Sequence, residues 1–202
     1  MNKKTFIETI KVLNGRFCNL DLHIDRLQST ANHFYARYPE FDWQNINIPD
    51  DMRKGLVKCR ITYTSQIIAV EFEKYNLRKI ASLALVFDND IDYEYKSTDR
   101  SAFSRLMASK GNCDDILIVK NGLITDTSYS NVVFENKEGL YTPANPLLRG
   151  TKRSNLLNKG IIGEREITVQ DMSDYSCLYL INAMIDLEDN IRIPLSNIKS
   201  IE

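Results

Sequence analysis

Cysteine is sparse in this chain and shows no pairing pattern: Cys18, Cys59, Cys113 and Cys177 are scattered, with no Cys-x-x-Cys among them. That spacing suits neither a disulfide framework nor a tetrahedral zinc site, and small buried apolar side chains are the expected role. Histidine is scarcer still. His23 and His33 are the only two, too far apart to be ligands on adjacent helical turns, so a histidine-rich metal centre is excluded and no metal is predicted. Any catalysis is pushed toward Lys, Tyr, Asp or a cofactor. Long apolar runs are missing as well. The longest, Ile80 to Phe87, falls far short of the ~20 residues that cross a bilayer. Met1 to Val12 carries lysines without the apolar stretch or small-residue cleavage site of an export signal. Charge of one sign is absent too: the formal net charge is -1, with acids and bases interspersed. Nothing resembles a basic stripe for nucleic acid or a polybasic membrane patch. A cytoplasmic protein with neither nucleic-acid nor membrane partners is expected.

What is present is enough apolar material for a core. The 202 residues are 43% hydrophobic, sufficient for one domain or two small ones. Asn14-Gly15 between two alternating runs is a hairpin signal. Leu20, Ile24, Leu27, Ala31, Phe34 and Tyr38 recur at helical spacing, with Asn19 or Asp21 as the cap. A short helix is predicted around Asp51 to Val57, then strands at Val57 to Thr64 and Ile67 to Tyr75. The second half reads as a strand at Ser82 to Phe87, a helix at Arg100 to Lys110 stopped by Gly111, and a hairpin about Asn121-Gly122. Short strands follow at Asn131 to Glu135 and Gly139 to Thr142. Thr151 is read as the cap of a helix ending at Gly160, and Cys177 to Ile181 as a buried strand after a short helix at Gln170 to Tyr175. The fold class is α+β, with a small N-terminal domain over 1–79 and a larger C-terminal one over 80–202.

Four elements then stand in a telling order: Tyr95-Lys96-Ser97-Thr98-Asp99-Arg100, Gly122 to Asn131, Tyr141-Thr142-Pro143, and Leu148-Arg149-Gly150-Thr151-Lys152-Arg153. Upstream lie Glu8-Thr9-Ile10-Lys11-Val12 with Asn14-Gly15, and His23-Ile24-Asp25-Arg26-Leu27. Together they resemble the class-IV aminotransferase family, the fold-type IV pyridoxal-phosphate enzymes, over nearly the whole chain. The resemblance implies two small α/β domains with pyridoxal 5'-phosphate between them, and a homodimer in which one subunit helps close the site of the other.

It also implies roles, residue by residue. Lys96, in its Lys-x-x-Asp-Arg context, matches the Schiff-base lysine and would later serve as the base that moves a substrate proton. Asp126 stands where the family places a glutamate against the pyridinium nitrogen, one methylene shorter; on local grounds it also suits a turn-capping aspartate. Arg26 matches the phosphate-binding arginine, against the plainer reading of an exposed helix arginine. Gly150-Thr151-Lys152 resembles the turn whose amides meet the phosphate at a helix N-terminus. Asn182-Ala183 resembles the second phosphate element of aminodeoxychorismate lyases. His23 is expected to support its helix, and Asn131 to brace the loop of Asp126. Arg60, on the strand face of Thr62, has two readings: a substrate carboxylate receptor or a solvent-facing arginine.

For the reaction on a small-molecule amino substrate, two features favour lysis of 4-amino-4-deoxychorismate over transamination. The chain lacks the family's N-terminal hairpin with its Gly-Asp-Gly stretch, and Ser101 stands where branched-chain aminotransferases place a tyrosine five residues after the lysine. A D- or branched-chain aminotransferase is the alternative. A family member that binds the cofactor without turnover is another.

Overall fold

The structure is a computed structural model and describes residues 4–200. Its contacts divide the chain into two units. The first ends at Leu77 and takes in Tyr95–Asp99; the second comprises Arg78–Glu94 and the chain from Arg100 onward. The lysine segment is therefore grouped with the N-terminal residues, although it lies beyond the boundary placed at 79/80.

The first unit is built from β1 (Phe6–Leu13), β2 (Arg16–Phe17), α1 (Leu20–Tyr35), β3 (Leu56–Tyr63) and β4 (Ile67–Lys74). The strands form an antiparallel sheet in the order β2-β1-β3-β4. Asn14 and Gly15 both take positive φ, 49° and 76°, as a two-residue hairpin turn requires. On β1 the residues Phe6, Ile10 and Val12 point inward and meet Leu27 and Ala31 of α1, with Val57, Cys59, Ile61 and Tyr63 of β3. Helix α1 stops three residues short of Tyr38, because Ala36 turns left-handed (φ 53°) and its amide closes on Asn32. Asn19 precedes the helix with left-handed backbone and no side-chain cap bond. The helix expected at Asp51 to Val57 is instead a single 3-10 turn, Asp50–Met52. Gly55, at φ 77°, breaks it and lets β3 start at Leu56.

The second unit contains β5 (Leu83–Phe87), α2 (Ser101–Met107), β6 (Asp115–Lys120), β7 (Leu123–Thr127), β8 (Asn131–Asn136) and β9 (Gly139–Pro143). It continues with α3 (Thr151–Asn158), β10 (Gly163–Arg165), β11 (Cys177–Ile181), β12 (Arg192–Pro194) and β13 (Ile198–Ser200). Among the described residues these strands form one mixed sheet, β10-β9-β8-β7-β6-β5-β13, with β11 also paired to β8 and β12 to β11. One face packs Leu83, Leu85, Leu117, Val119 and Phe134. The other packs Ala84, Val86, Ile116 and Ile118 under Phe103 and Leu106 of α2. Cys59, Cys113 and Cys177 are buried and Cys18 half-buried, all as free thiols. Among the described residues no helix is long and apolar enough to cross a membrane.

Candidate active site

In the first unit a charge stands where the strand period calls for an apolar residue. Glu8 lies between Phe6 and Ile10 on the inward phase of β1 and is completely buried. Its partners come from α1, where His23 and Arg26 lie one turn apart. His23 Nδ1 is 2.6 Å from Glu8 Oε2, while Arg26 donates Nε to Oε1 (2.9 Å) and Nη2 to Oε2 (2.5 Å). Burial works against the Glu8 carboxylate, but the Arg26 charge and the bonds from His23 and Arg26 outweigh it and hold its pKa at about 2. Burial pushes the His23 pKa down, opposed by the bond to Glu8 and its charge. Because the Glu8 pKa is depressed, its stabilising contribution is present above the ordinary carboxylate value and lost as pH falls toward about 2. An acid-unfolding curve for Glu8→Gln should accordingly be flatter below pH ~4.5 than that of the wild type.

Lys96 is fixed through its backbone. The Ile7 amide donates to the Lys96 carbonyl (3.0 Å), the Thr98 amide to the Thr5 carbonyl (2.9 Å), and Phe6 and Ser97 form an antiparallel bridge. Tyr95 anchors the other side, stacked on His33 at 4.8 Å and edge-on to Phe34 at 4.9 Å. The lysine side chain is half-buried, and its charge helps lower His23. Arg60 pairs with Thr9 and Glu71 in register, on the sheet face of Lys58 and Thr62 and opposite the core residues Cys59, Ile61 and Tyr63. It is half-buried, and it is not among the partners of the Glu8 cluster.

In the second unit the sheet makes room for a carboxylate by an irregularity. Val119 pairs with Ile124 and Leu117 with Thr127, so Thr125 and Asp126 together oppose Ile118. Such a bulge re-aims side chains out of the alternating pattern. Asp126 Oδ1 accepts from the Asn131 amide (2.7 Å) and Oδ2 from the Leu148 N–H (2.9 Å), while Asn131 also donates to the Leu148 carbonyl (2.8 Å). Asn131 thus ties β7, β8 and the loop before α3 into one support. The donors and the Arg153 charge favour the ionised form, yet burial dominates and pushes the Asp126 pKa up to about 6. This aspartate is not a turn cap. It is a carboxylate withdrawn from water, and no salt-bridge partner lies on it among the described residues.

The first turn of α3 is polar and buried, which a plain surface helix would not be: Thr151, Lys152 and Arg153 are 4%, 9% and 2% exposed. Gly150, rather than Thr151, occupies the cap position. Its φ of -67° suits any residue; space is what demands glycine, since a Cβ there would run into Asn131 Oδ1. Gly150→Ala should therefore push Asn131 off Asp126 and cost on the order of 1–3 kcal/mol in denaturant unfolding. Lys152 Nζ forms an ion pair with Asp186. Arg153 Nη2 donates to the Pro143 carbonyl (2.8 Å) and to Glu164 (2.5 Å), leaving a buried Nε with no hydrogen-bond partner among the described residues. The Asn182 side chain is committed: it donates to Ser130 Oγ (3.0 Å) and accepts from the Met184 amide (2.8 Å). Its main chain closes a turn on Ile185, with Ala183 at the tip.

Two clusters thus stand, each within its own unit: Lys96 with Glu8, His23 and Arg26 in the first, and Asp126 with the α3 turn in the second. The chain's residues 5–187 match the family model described as amino-transferase class IV. The chain belongs to the class IV aminotransferases. An uncharacterised protein of Haemophilus influenzae is 34% identical over 180 residues, 88% of this chain and 96% of that one. A crystal structure from Haemophilus somnus 129PT, provisionally named a 4-amino-4-deoxychorismate lyase, is 33% identical with a TM-score of 0.83, covering 91% of this chain and 98% of its own. A hypothetical aminotransferase from Mycobacterium tuberculosis in its PLP-bound form shares the fold at 18% identity and TM-score 0.67, over 89% of this chain and 78% of that one. Class IV aminotransferases are pyridoxal-phosphate enzymes, and the mixed α/β architecture is theirs.

The residues present fit that cofactor. Among the described residues Asp126 has no salt-bridge partner, a place that a protonated ring nitrogen would fill, and the first turn of α3 gathers buried polar groups, Arg153 Nε among them without a hydrogen bond. Sequence reading of this class IV chain gave no role to three residues that the structure places in these clusters: Glu8, beside Arg26 and His23, and Arg153 and Asp186, at the α3 turn. The signal for Glu8 was a charge on the inward phase of β1. For Arg153 it was the third consecutive polar residue at a helix start; Asp186 left no local signal.

Proposed function

We propose that the chain binds pyridoxal 5'-phosphate and converts 4-amino-4-deoxychorismate to 4-aminobenzoate and pyruvate. The observation that carries the cofactor half of this reading is Asp126, a buried carboxylate with N–H donors on both oxygens and a pKa raised to about 6. Lys96 would attach the cofactor covalently and, as a free amine, take the proton from the carbon bearing the substrate's amine. Arg26, the amides of Thr151 and Lys152 after Gly150, and the backbone at Asn182 and Ala183 would hold the phosphate. Asp126 would keep a proton on the ring nitrogen. When bound, the cofactor supplies an electron sink for negative charge on the substrate carbon. Arg60 would receive a substrate carboxylate.

The lyase outcome is supported by the Lys96-x-x-Asp99-Arg100 context with Ser101, and by the 33% identity to the provisionally named lyase across 91% of the chain. We also propose a cytoplasmic homodimer, to be checked by sedimentation at working concentration.

The reaction is tested by incubating the cofactor-loaded protein with 4-amino-4-deoxychorismate, and separately with pairs of amino and keto acids. Equal amounts of 4-aminobenzoate and pyruvate, released catalytically, are expected. Amino exchange between the pairs with no 4-aminobenzoate would establish the transaminase instead. Colour without either turnover would leave a cofactor-binding protein only.

A further inference from the structure

Asn131 and Asp126, both buried, belong to a closed ring of hydrogen bonds. Asn131 Nδ2 donates to Asp126 Oδ1 (2.7 Å) and to the Leu148 carbonyl (2.8 Å), and the Leu148 N–H returns to Asp126 Oδ2 (2.9 Å). Both N–H groups of the carboxamide are engaged, and both carboxylate oxygens receive an N–H. Donors on both oxygens favour the ionised acid. The charge of Arg153 on α3 acts in the same direction, and burial acts against them.

The orientation of the carboxamide is set from two sides. Turned over, it would place its oxygen against Asp126 Oδ1 and the Leu148 carbonyl, acceptor against acceptor. In the orientation it takes, Asn131 Oδ1 lies where a Cβ on residue 150 would stand. The backbone at Gly150 (φ -67°, ψ 142°) suits any residue, and Ser, Asp or Asn would cap α3 at least as well. Room for the Asn131 oxygen is what glycine supplies.

We infer that Asn131 is a positioning residue for the proposed chemistry: held in place by the bare Gly150, it keeps Asp126 a charged acceptor, so that the partner of Asp126 must be a donor. For pyridoxal phosphate that donor is the ring nitrogen with its proton. Without the Asn131 bond, the proton shared by nitrogen and carboxylate moves toward Asp126. This bearing on the ring rests on the proposal that the chain binds pyridoxal phosphate; the link from Gly150 through Asn131 to Asp126 does not.

The link is tested first in the cofactor-free protein. By carboxyl 13C NMR, Asp126 should titrate on the order of one pH unit higher in Asn131→Ala than in the wild type, because a donor to the ionised form is gone. Gly150→Ser retains a good cap but adds the Cβ. It should raise the titration likewise and lower the unfolding midpoint. In the Asn131→Ala background the same Gly150→Ser change should do neither, since the oxygen it would meet is absent. An unmoved Asp126 in Asn131→Ala, or an equal stability loss from Gly150→Ser in both backgrounds, would overturn the inference. The ring is then read in protein loaded with ring-15N pyridoxal phosphate. The nitrogen signal should be that of a protonated ring in the wild type and move toward the neutral ring in Asn131→Ala; identical signals would refute the role. Should the variants not fold, the wild type still decides: the Asn131 Nδ2 proton signals should follow the Asp126 titration, and signals that ignore it would refute the link. Wild-type protein that takes up no pyridoxal phosphate speaks against the cofactor reading, and with it against the role toward the ring. Normal uptake with an unmoved Asp126 in Asn131→Ala strikes at this inference alone.

Discussion

Lys96→Ala should remain folded and lose both the visible absorbance of the loaded protein and its turnover, by at least ~1000-fold, or about 4 kcal/mol of barrier. The stability half of that expectation comes from how the segment is held. The bonds that dock it are main-chain, from Ile7 to Lys96 and from Thr98 to Thr5, and its packing anchor is the Tyr95 ring on His33 and Phe34. Those main-chain bonds and that ring packing persist in the variant. Far-UV dichroism and the unfolding midpoint should therefore change little while activity collapses. A variant that keeps colour and turnover would mean that another lysine serves, with Lys152, Lys110 and Lys120 next in line. Of these, Lys152 is tied to Asp186, Lys110 to the Cys113 carbonyl and Lys120 to the Ile91 carbonyl, which leaves each poorly placed to take over.

Asp126→Asn has the second largest expected effect, and it separates chemistry from stability. Binding of the cofactor should survive, because the contacts proposed for its phosphate do not include Asp126. Turnover should fall by on the order of 100-fold or more, since an amide cannot hold a proton on the ring nitrogen; each factor of ten is about 1.4 kcal/mol. The cofactor-free protein should show the reverse sign of benefit. Burial raises the Asp126 pKa above its unfolded value, to about 6. The native state therefore binds the proton more tightly, and the associated stability is present below pH ~4 and lost as pH rises through about 6, with an upper bound on the order of 3 kcal/mol. Asp126→Asn should remove that slope. In the wild type, added cofactor should raise the melting temperature more at pH 8 than at pH 5, since a ring cation restores the charged carboxylate. A melting profile of the cofactor-free wild type that is flat from pH 4 to 6 would show that the Asp126 pKa is not raised by burial.

Much of this was legible in the sequence where one residue type dictates local geometry. Asn14-Gly15 and Asn121-Gly122 gave their turns because few residues tolerate consecutive positive φ. The alternation on β3 placed Arg60 with Thr62 and against Ile61, since a strand has a period of two. Strands β10, β12 and β13 were invisible, being three residues each, too short for any alternation to register. The site divides along the same line. The order of motifs singled out Lys96 and Asp126, but not what surrounds them. Glu8 with Arg26, Lys152 with Asp186, and Arg153 with Glu164 are matched across 11 to 34 residues by folding alone. The bulge that re-aims Asp126 exists only once β6 lies beside β7. Gly150 looked like a phosphate glycine, yet the reason it is glycine is Asn131, nineteen residues earlier.

The central claim is that this chain carries pyridoxal phosphate on Lys96. The most direct measurement is borohydride reduction of the loaded protein, followed by proteolysis and mass mapping of the lysine that holds the phosphopyridoxyl group. A single adduct on Lys96, at close to one per chain, is the result predicted. An adduct on any other lysine, or none on a protein that had taken up the cofactor, would contradict it.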